Sequence, residues 1–257
     1  MNLMLFAPGE FQDGTLLIRG GRARELIRTR RIKTGDKVRV GALNGLWGWG
    51  TVVEVSEEVV TVHAELNQID LVKPLTLVVG LSRPQIFKKV IQIGAMWGVS
   101  SIVFVRAARS EKSFLQSPQL ADKNIAEQIQ LGLEQGIGTT APEVKLFTSF
   151  AEFKNNWLLP NAAHFQWKLI AEPKAHYSMA SFGARTPINP MVSGALAVGP
   201  DPGWQEDEIE AFISGGFQSF SLGTRILRVD VALSFILGQI ALIGEKCTNF
   251  EHRELNR

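Results

Sequence analysis

Two kinds of hydrophobic pattern divide this chain. In the first part, short runs alternate apolar and polar positions: Lys37 to Gly41, Leu46 to Val55 and Val59 to Leu66, separated by the turn signals Asn44-Gly45 and Ser56-Glu57-Glu58. A period of two puts one face of each run on a core and the other in water, so these segments predict strands. Gly14 to Ile18 predicts an earlier strand and Gly21 to Thr29 a helix with arginines on its exposed side. Together they predict a small β-barrel over residues 1–72. Lys73-Pro74 marks the boundary, because the residue before a proline is pushed away from helix and the pattern changes just after it.

Residues 73–257 read instead as alternating strands and helices. Leu75 to Leu81 is a continuous apolar run. Ser82 followed by Pro84 predicts an N-cap and the first turn of a helix through Trp97, which Gly98 ends. Ser101 to Val105, Phe165 to Ala171, Ala195 to Val198 and Phe217 to Leu222 predict further strands. Gln119 to Glu134, Gln205 to Ile213 and Arg228 to Gly244 predict helices, and the polar stretch Glu245 to Arg257 predicts a loose tail. This order predicts an α/β fold with a mainly parallel sheet covered on both faces.

Three of the later strands stop at loops rich in glycine and proline: Ile170-Ala171-Glu172-Pro173, Val198-Gly199-Pro200-Asp201-Pro202-Gly203-Trp204, and Leu222-Gly223-Thr224-Arg225-Ile226-Leu227-Arg228. Loops at strand ends are where α/β domains keep ligands. Glycine admits close approach of the backbone and proline stiffens the loop, so main-chain N–H and C=O groups can read a flat heterocycle. The pattern predicts a pocket for an adenine-bearing cofactor, built mostly from main chain.

Composition narrows the chemistry. One cysteine, Cys247, forms no internal disulfide and suits a reducing compartment, and four scattered histidines show no metal-ligand spacing. The most apolar late stretch, Val229 to Ile243, contains Asp230 and Gln239 and is too short for a membrane span. A cytoplasmic protein with no membrane association and no metal is expected. No Gly-x-Gly-x-x-Gly, P-loop or Gly-x-Ser-x-Gly motif occurs, which removes support for dinucleotide, P-loop and serine-hydrolase chemistry. The formal charge is only +2, yet residues 19–39 carry nine cationic side chains against two acidic ones, and residues 41–72 carry no lysine or arginine. So concentrated a patch is the footprint expected for a polyanion such as RNA, and a solvated helix face is its ordinary alternative. Trp47 and Trp49 alternate with glycine and read as barrel packing before base stacking. Trp204 reads as either a cover for adenine or a plug in the core.

The order of Lys88-Lys89-Val90-Ile91-Gln92, Ile93-Gly94-Ala95-Met96-Trp97-Gly98-Val99, Arg109-Ser110, Glu134-Gln135, Gly199-Pro200-Asp201-Pro202-Gly203-Trp204 and Leu222-Gly223-Thr224-Arg225-Ile226-Leu227-Arg228 resembles the RsmE family. The resemblance begins near the front, where Ala23-Arg24-Glu25-Leu26-Ile27-Arg28 and Lys33-Thr34-Gly35-Asp36-Lys37-Val38 are similar to that family's PUA-like RNA-binding domain. It implies an S-adenosylmethionine-dependent methyltransferase of the SPOUT superfamily, acting on N3 of a uridine in 16S ribosomal RNA during ribosome biogenesis. It also implies a PUA-like barrel (1–72), a SPOUT α/β domain (73–257) closed by a deep trefoil knot, and a homodimer formed through the knot. The family pattern Gly-Pro-Glu-Gly-Gly-Phe is replaced here by Gly199-Pro200-Asp201-Pro202-Gly203-Trp204. Thr-Glu-Thr-Ala after the arginine is replaced by Val229-Asp230-Val231-Ala232, and the Glu-Gln-Ser-x-Arg arginine is missing at Glu134-Gln135-Gly136-Ile137-Gly138.

On this resemblance the S-adenosylmethionine site comprises Ile170, Ala171, Glu172, Val198, Gly199, Pro200, Gly203, Leu222, Gly223, Ile226 and Leu227. Asp230, Arg228 and Asp201 are the catalytic candidates, since uridine N3 must lose a proton to become a nucleophile. For Arg228 and Asp230 the bland alternative is an ion pair fixing a helix N-terminus. Arg22, Arg24, Arg28, Arg30 and Arg31 are expected to hold RNA phosphates, with Arg83, Lys88, Lys89 and Arg109 extending the track. The partner is ribosomal RNA or the small ribosomal subunit. The alternatives are an RNA-binding or ribosome-assembly protein that has lost catalysis, and a methyltransferase with another RNA acceptor.

Overall fold

Among the described residues, strand pairing forms two six-stranded sheets. The computed structural model describes residues 2–7, 9–179, 181 and 188–254, with side chains through residue 244. The first sheet contains β1 (Met4–Phe6), β2 (Phe11–Gln12), β3 (Thr15–Arg19), β4 (Lys37–Ala42), β5 (Trp47–Val55) and β6 (Val59–Gln68), with α1 (Gly20–Arg30) between β3 and β4. Its order is β1-β4-β5-β6-β3-β2, antiparallel except for the parallel β1–β4 pair.

The two end strands follow one another in sequence. From Phe6 to Phe11 the backbone reaches about 17 Å at most, whereas six flat strands would hold their ends about 24 Å apart. The sheet therefore curls, and the Phe6 and Phe11 rings stack with centroids 5.1 Å apart. Leu16, Ile18, Val40, Val52, Val60 and Val62 fill the inside together with Ala23 and Leu26 of α1. Glycine is required where β5 presses on β6: a Cβ at Gly48 would lie 1.9 Å from the Glu65 carbonyl oxygen.

The second sheet comprises β7 (Lys73–Gly80), β8 (Val99–Val105), β9 (Glu143–Phe147), β10 (Trp167–Ala171), β11 (Gly194–Val198) and β12 (Gln218–Phe220). Its order is β12-β10-β11-β7-β8-β9 and every pair is parallel. The helices are α2 (Pro84–Trp97), α3 (Asp122–Gly136), α4 (Phe150–Phe153), α5 (Glu206–Ser214) and α6 (Val229–Glu254). Both faces are covered, which is why β7 reads as one apolar run. Leu75, Leu77 and Val79 face Phe87, Val90 and Ile91 of α2 and Leu233, Ile236, Leu237 and Ile240 of α6. Val78, Val103, Val105, Ile170, Ala195 and Ala197 face Phe153, Trp157, Trp204, Phe212 and Phe217.

Several expectations change. Ser82 does not cap α2; Arg83 is the N-cap residue, and the Ser82 hydroxyl donates to the Gly80 carbonyl at 3.1 Å. The sequence pattern missed β1, β2, β9 and the helical passage from Phe150 to Asn161, which includes a π-turn at Lys154–Leu158. The tail expected to be loose continues α6 as far as Glu254. β11 begins 23 residues after β10 ends, so the first of the three loops is long.

The two sheets meet at a polar seam over a small apolar cluster of Leu3, Leu5, Ala95 and Leu133. The Glu134 carbonyl accepts from the N–H groups of Asn2 and Leu3 at 2.8 and 3.0 Å. Its buried carboxylate accepts from Gln130 at 3.2 Å. Asp70 accepts from the N–H groups of Thr139 and Thr140, both at 2.7 Å. Glu134, singled out by its motif, thus ties the halves together.

Candidate active site

Parallel pairing sets three strand ends in one row: Ala171 of β10 is in register with Val198 of β11 on one side and Phe220 of β12 on the other. The loops that follow leave from one edge of the sheet. Glu172 N–H donates to the Phe220 carbonyl at 2.9 Å, and Ser221 N–H donates to the Tyr177 carbonyl at 2.8 Å. Ser178 and Ser221 form a parallel bridge, so the first loop is laced to the third.

The middle loop is pressed onto the sheet. Its turn closes by Gly203 N–H donating to the Pro200 carbonyl at 2.7 Å, with Gly203 at φ +77°. A Cβ at Gly80, the last residue of β7, would meet the Pro200 nitrogen at 2.4 Å, and one at Gly199 would meet the Trp204 nitrogen at 3.0 Å. Arg109 clamps the same loop, donating to the carbonyls of Pro202 at 2.9 Å and Trp204 at 3.2 Å. Trp204 itself is buried against Phe150 and Phe212 and plugs the core.

In the third loop Gly223 sits at φ +109° and its N–H donates to the Ser221 hydroxyl at 3.3 Å. Among the described residues the N–H groups of Leu222 and Leu227 donate to nothing. Glycine cradles and idle amides are what a flat heterocycle bound by main chain needs, so the residues present fit an adenine-bearing group. Of the expected cofactor residues, Ala171, Glu172, Val198, Gly199, Pro200, Gly203, Leu222 and Gly223 lie on this edge. Ile170 is wholly buried in the sheet, Leu227 is half-buried and Ile226 is 81% exposed.

Asp230 lies in the first turn of α6 and is buried. Its Oδ2 accepts from Lys89 Nζ at 3.0 Å and from Arg228 Nη2 at 3.2 Å, while its buried Oδ1 has no partner among the described residues. Burial raises its pKa, but the hydrogen bond and charge of Lys89 and the charge of Arg228 outweigh burial and hold the carboxyl below its ordinary value. The carboxylate is therefore ionised at neutral pH, with one oxygen idle. Asp201 is exposed at the tip of the middle loop and makes no hydrogen bond among the described residues.

The basic residues divide. Arg22 is withdrawn from the expected RNA track: it is half-buried, pairs with Glu10 at 3.3 Å and donates to the Leu5 carbonyl. Arg24 pairs with Glu58 at 2.7 Å at the surface. Lys89 serves Asp230 and Arg109 serves the middle loop, so neither stands free as a phosphate contact. Arg28, Arg30 and Arg31 are exposed where α1 ends, a position that also suits the helix dipole. Arg83 is exposed and Lys88 half-buried on α2 and its N-cap. Sequence reasoning named Asp230 and Lys89 separately and missed their pairing, because they stand 141 positions apart in the chain.

The sequence profile of the RNA methyltransferase domain family matches residues 70–241. The chain is 28% identical over 238 residues to the ribosomal RNA small subunit methyltransferase E of Treponema pallidum, covering 90% of this chain and 87% of that protein. It is 24% identical over 233 residues to the ribosomal RNA small subunit methyltransferase E 1 of Borreliella burgdorferi, covering 90% and 94%. In fold it is similar to the crystal structure of a ribosomal RNA small subunit methyltransferase E from Neisseria gonorrhoeae bound to S-adenosyl methionine. That likeness has a TM-score of 0.66 at 20% identity and covers 96% of this chain and 97% of that one.

Proposed function

The chain belongs to the RNA methyltransferase domain family, with the RsmE enzymes, and on that premise we propose that it methylates N3 of a uridine in 16S ribosomal RNA. It is an S-adenosylmethionine-dependent ribosomal RNA methyltransferase. The observation that carries the reading is the row Ala171, Val198 and Phe220, which sends three glycine- and proline-bearing loops to one sheet edge beside buried Asp230.

Glu172, Gly199, Pro200, Gly203, Leu222, Gly223 and Leu227 hold the cofactor, chiefly through main-chain groups. When bound, the cofactor supplies an electrophilic methyl group on a sulfonium. The protein's work is to place the uridine nitrogen behind that methyl, manage its proton and exclude water. Nucleotide binding must turn the enclosed Oδ1 of Asp230 toward the base, where it accepts the N3–H hydrogen bond, and Lys89 and Arg228 balance the negative charge that grows on the uracil ring. With a lowered pKa, Asp230 is a weak base held ready in its ionised form. Exposed Asp201 lies on the rim and plays no part in this step. N3 is on the Watson–Crick edge, so the target nucleotide is unpaired or splayed from its stack.

Arg28, Arg31, Arg83 and Lys88 position the RNA through phosphates. The N-terminal unit, residues 1–72, is read as a PUA-like barrel, supported by the curl that joins its end strands. Residues 73–257 are read as a SPOUT domain with a trefoil knot, supported by the bridge between Ser178 and Ser221 and by the packing of α6 on α2. A homodimer is supported by a stripe on α6: Val231, Phe235, Gly238 and Leu242 are all exposed at spacings of four, three and four, the period of a helix–helix seam. No helix among the described residues is long and apolar enough to cross a membrane; the place of action is proposed to be the cytoplasm. Calorimetric titration with S-adenosylmethionine tests the pocket. Stoichiometric binding is expected, and its absence would contradict the assignment.

A further inference from the structure

On the outer face of the N-terminal sheet, far in sequence from the cofactor loops, one aromatic ring stands unaccounted for. β5 begins Trp47-Gly48-Trp49-Gly50-Thr51-Val52, and its inward members Gly48, Gly50 and Val52 are buried. Packing explains those: a Cβ at Gly50 would lie 2.5 Å from Val62 Cγ1. It also explains Trp47, which is half-buried against the cluster at the seam. Trp49 is different, being 52% exposed and a member of no core cluster among the described residues. The sequence expectation that both rings pack the barrel therefore fails for Trp49.

The surroundings of this ring are organised. Arg39, its cross-strand partner in β4, holds its guanidinium 4.4 Å from the ring centroid. That contact lays the guanidinium over one face of the indole and fixes its plane, so a base would stack on the opposite face. One row along, Lys37 is paired with Thr51 and Thr51 with His63. Glu65, across from Trp49 on β6, is the acidic member of the face. The preceding loop is pinned to the same strand, since Gly35 N–H donates to the Val52 carbonyl at 2.8 Å and Val52 N–H donates to the Asp36 carbonyl at 2.9 Å. The basic stretch from Arg28 to Lys37 thus enters the sheet one row from Trp49.

We propose that Trp49 and Arg39 form a stacking platform for an unpaired base of the RNA, with Lys37 meeting the adjoining phosphate. Charge complementarity selects the occupant: a flat apolar ring, a stacked guanidinium and a flanking ammonium match a nucleobase joined to a phosphate. A duplex offers no free base face, so the platform discriminates for single strands. It lies outside the catalytic loops and steers substrate binding without touching the reacting atoms. The inference rests on the proposed RNA substrate and adds a specific site to it.

The test uses the full chain, a fluorescein-labelled oligouridine of about 12 nucleotides, a length within the usual single-strand site size, and an RNA duplex of equal length. Binding is followed by anisotropy across a salt series. Trp49→Ala is expected to weaken single-strand binding about 5- to 150-fold, the loss of one stacked base, with an unchanged salt slope. Trp49→Phe, which keeps an aromatic face, restores most of the affinity, and duplex binding is the same in all three proteins. Calorimetry with S-adenosylmethionine checks that each variant is folded. Undiminished single-strand affinity in Trp49→Ala, in protein that still binds the cofactor, overturns the platform alone. Equal losses on both RNAs overturn it too, because stacking would not be the cause. Wild-type protein that binds the cofactor but neither RNA would sink the RNA reading together with the platform.

Discussion

Replacing Asp230 with asparagine separates its stabilising role from its role at the substrate. The side chain keeps its volume and loses its charge, so the ion pairs to Lys89 and Arg228 vanish. Those cations are 50% and 63% exposed and return to water without being stranded. Pairs of this kind contribute about 1 kcal/mol or less, so Tm is expected to fall by about 2–4 °C at pH 7. Methyl transfer should fall far more, by about 100-fold or greater in kcat/KM, because an amide cannot take the proton. Cofactor affinity should stay near wild type. Since the folded pKa of Asp230 is lowered, its stabilisation is complete above the unfolded value of about 3.9 and disappears as pH falls through the folded value. The Tm gap between wild type and Asp230→Asn should therefore be constant from pH 8 to about pH 5 and close in more acidic solution. Scanning calorimetry and a tritium-transfer assay on small ribosomal subunits read the two effects. Methyl transfer by Asp230→Asn at the wild-type rate would refute the assignment of Oδ1 to the base.

Gly80→Ala puts a methyl group against the Pro200 nitrogen; the middle loop must move, and calorimetry should show at least a tenfold loss of cofactor affinity, about 1.4 kcal/mol. The double variant Arg28→Glu and Arg31→Glu should weaken RNA binding and flatten its dependence on salt by about two phosphate contacts. Arg22→Ala should lower Tm instead, since that guanidinium is spent on Glu10 and Leu5, with the salt slope unchanged. Phe235→Glu, placed in the exposed stripe of α6, should give a monomer by sedimentation where the wild type gives a dimer.

The legible elements were those whose signal is local. Period-two alternation in β5 and β6 comes from a sheet with one wet face, and the apolar run of β7 from a strand covered on both. β1 escaped because it is three residues long and serves two cores: Met4 and Phe6 point into the curled sheet, while Leu3 and Leu5 point into the seam. The passage from Phe150 to Asn161 escaped because its π-turn breaks the 3.6-residue repeat and Pro160 reads as an interruption. At the site, the loops were legible through their glycines and prolines, which report backbone requirements directly. The duties of the cations were not. Nothing near Arg22 in sequence reveals that Glu10 and Leu5 claim it, and Lys89 reads as one more surface lysine until the fold brings Asp230 to it.

Whether the protein methylates a uridine of 16S ribosomal RNA is decided by mass mapping of that RNA from cells with and without the gene. One uridine should carry a base methyl group in the wild type, lose it in the deletion, regain it with the wild-type gene and stay bare with Asp230→Asn. Identical methylation maps in the presence and absence of the gene would contradict that activity.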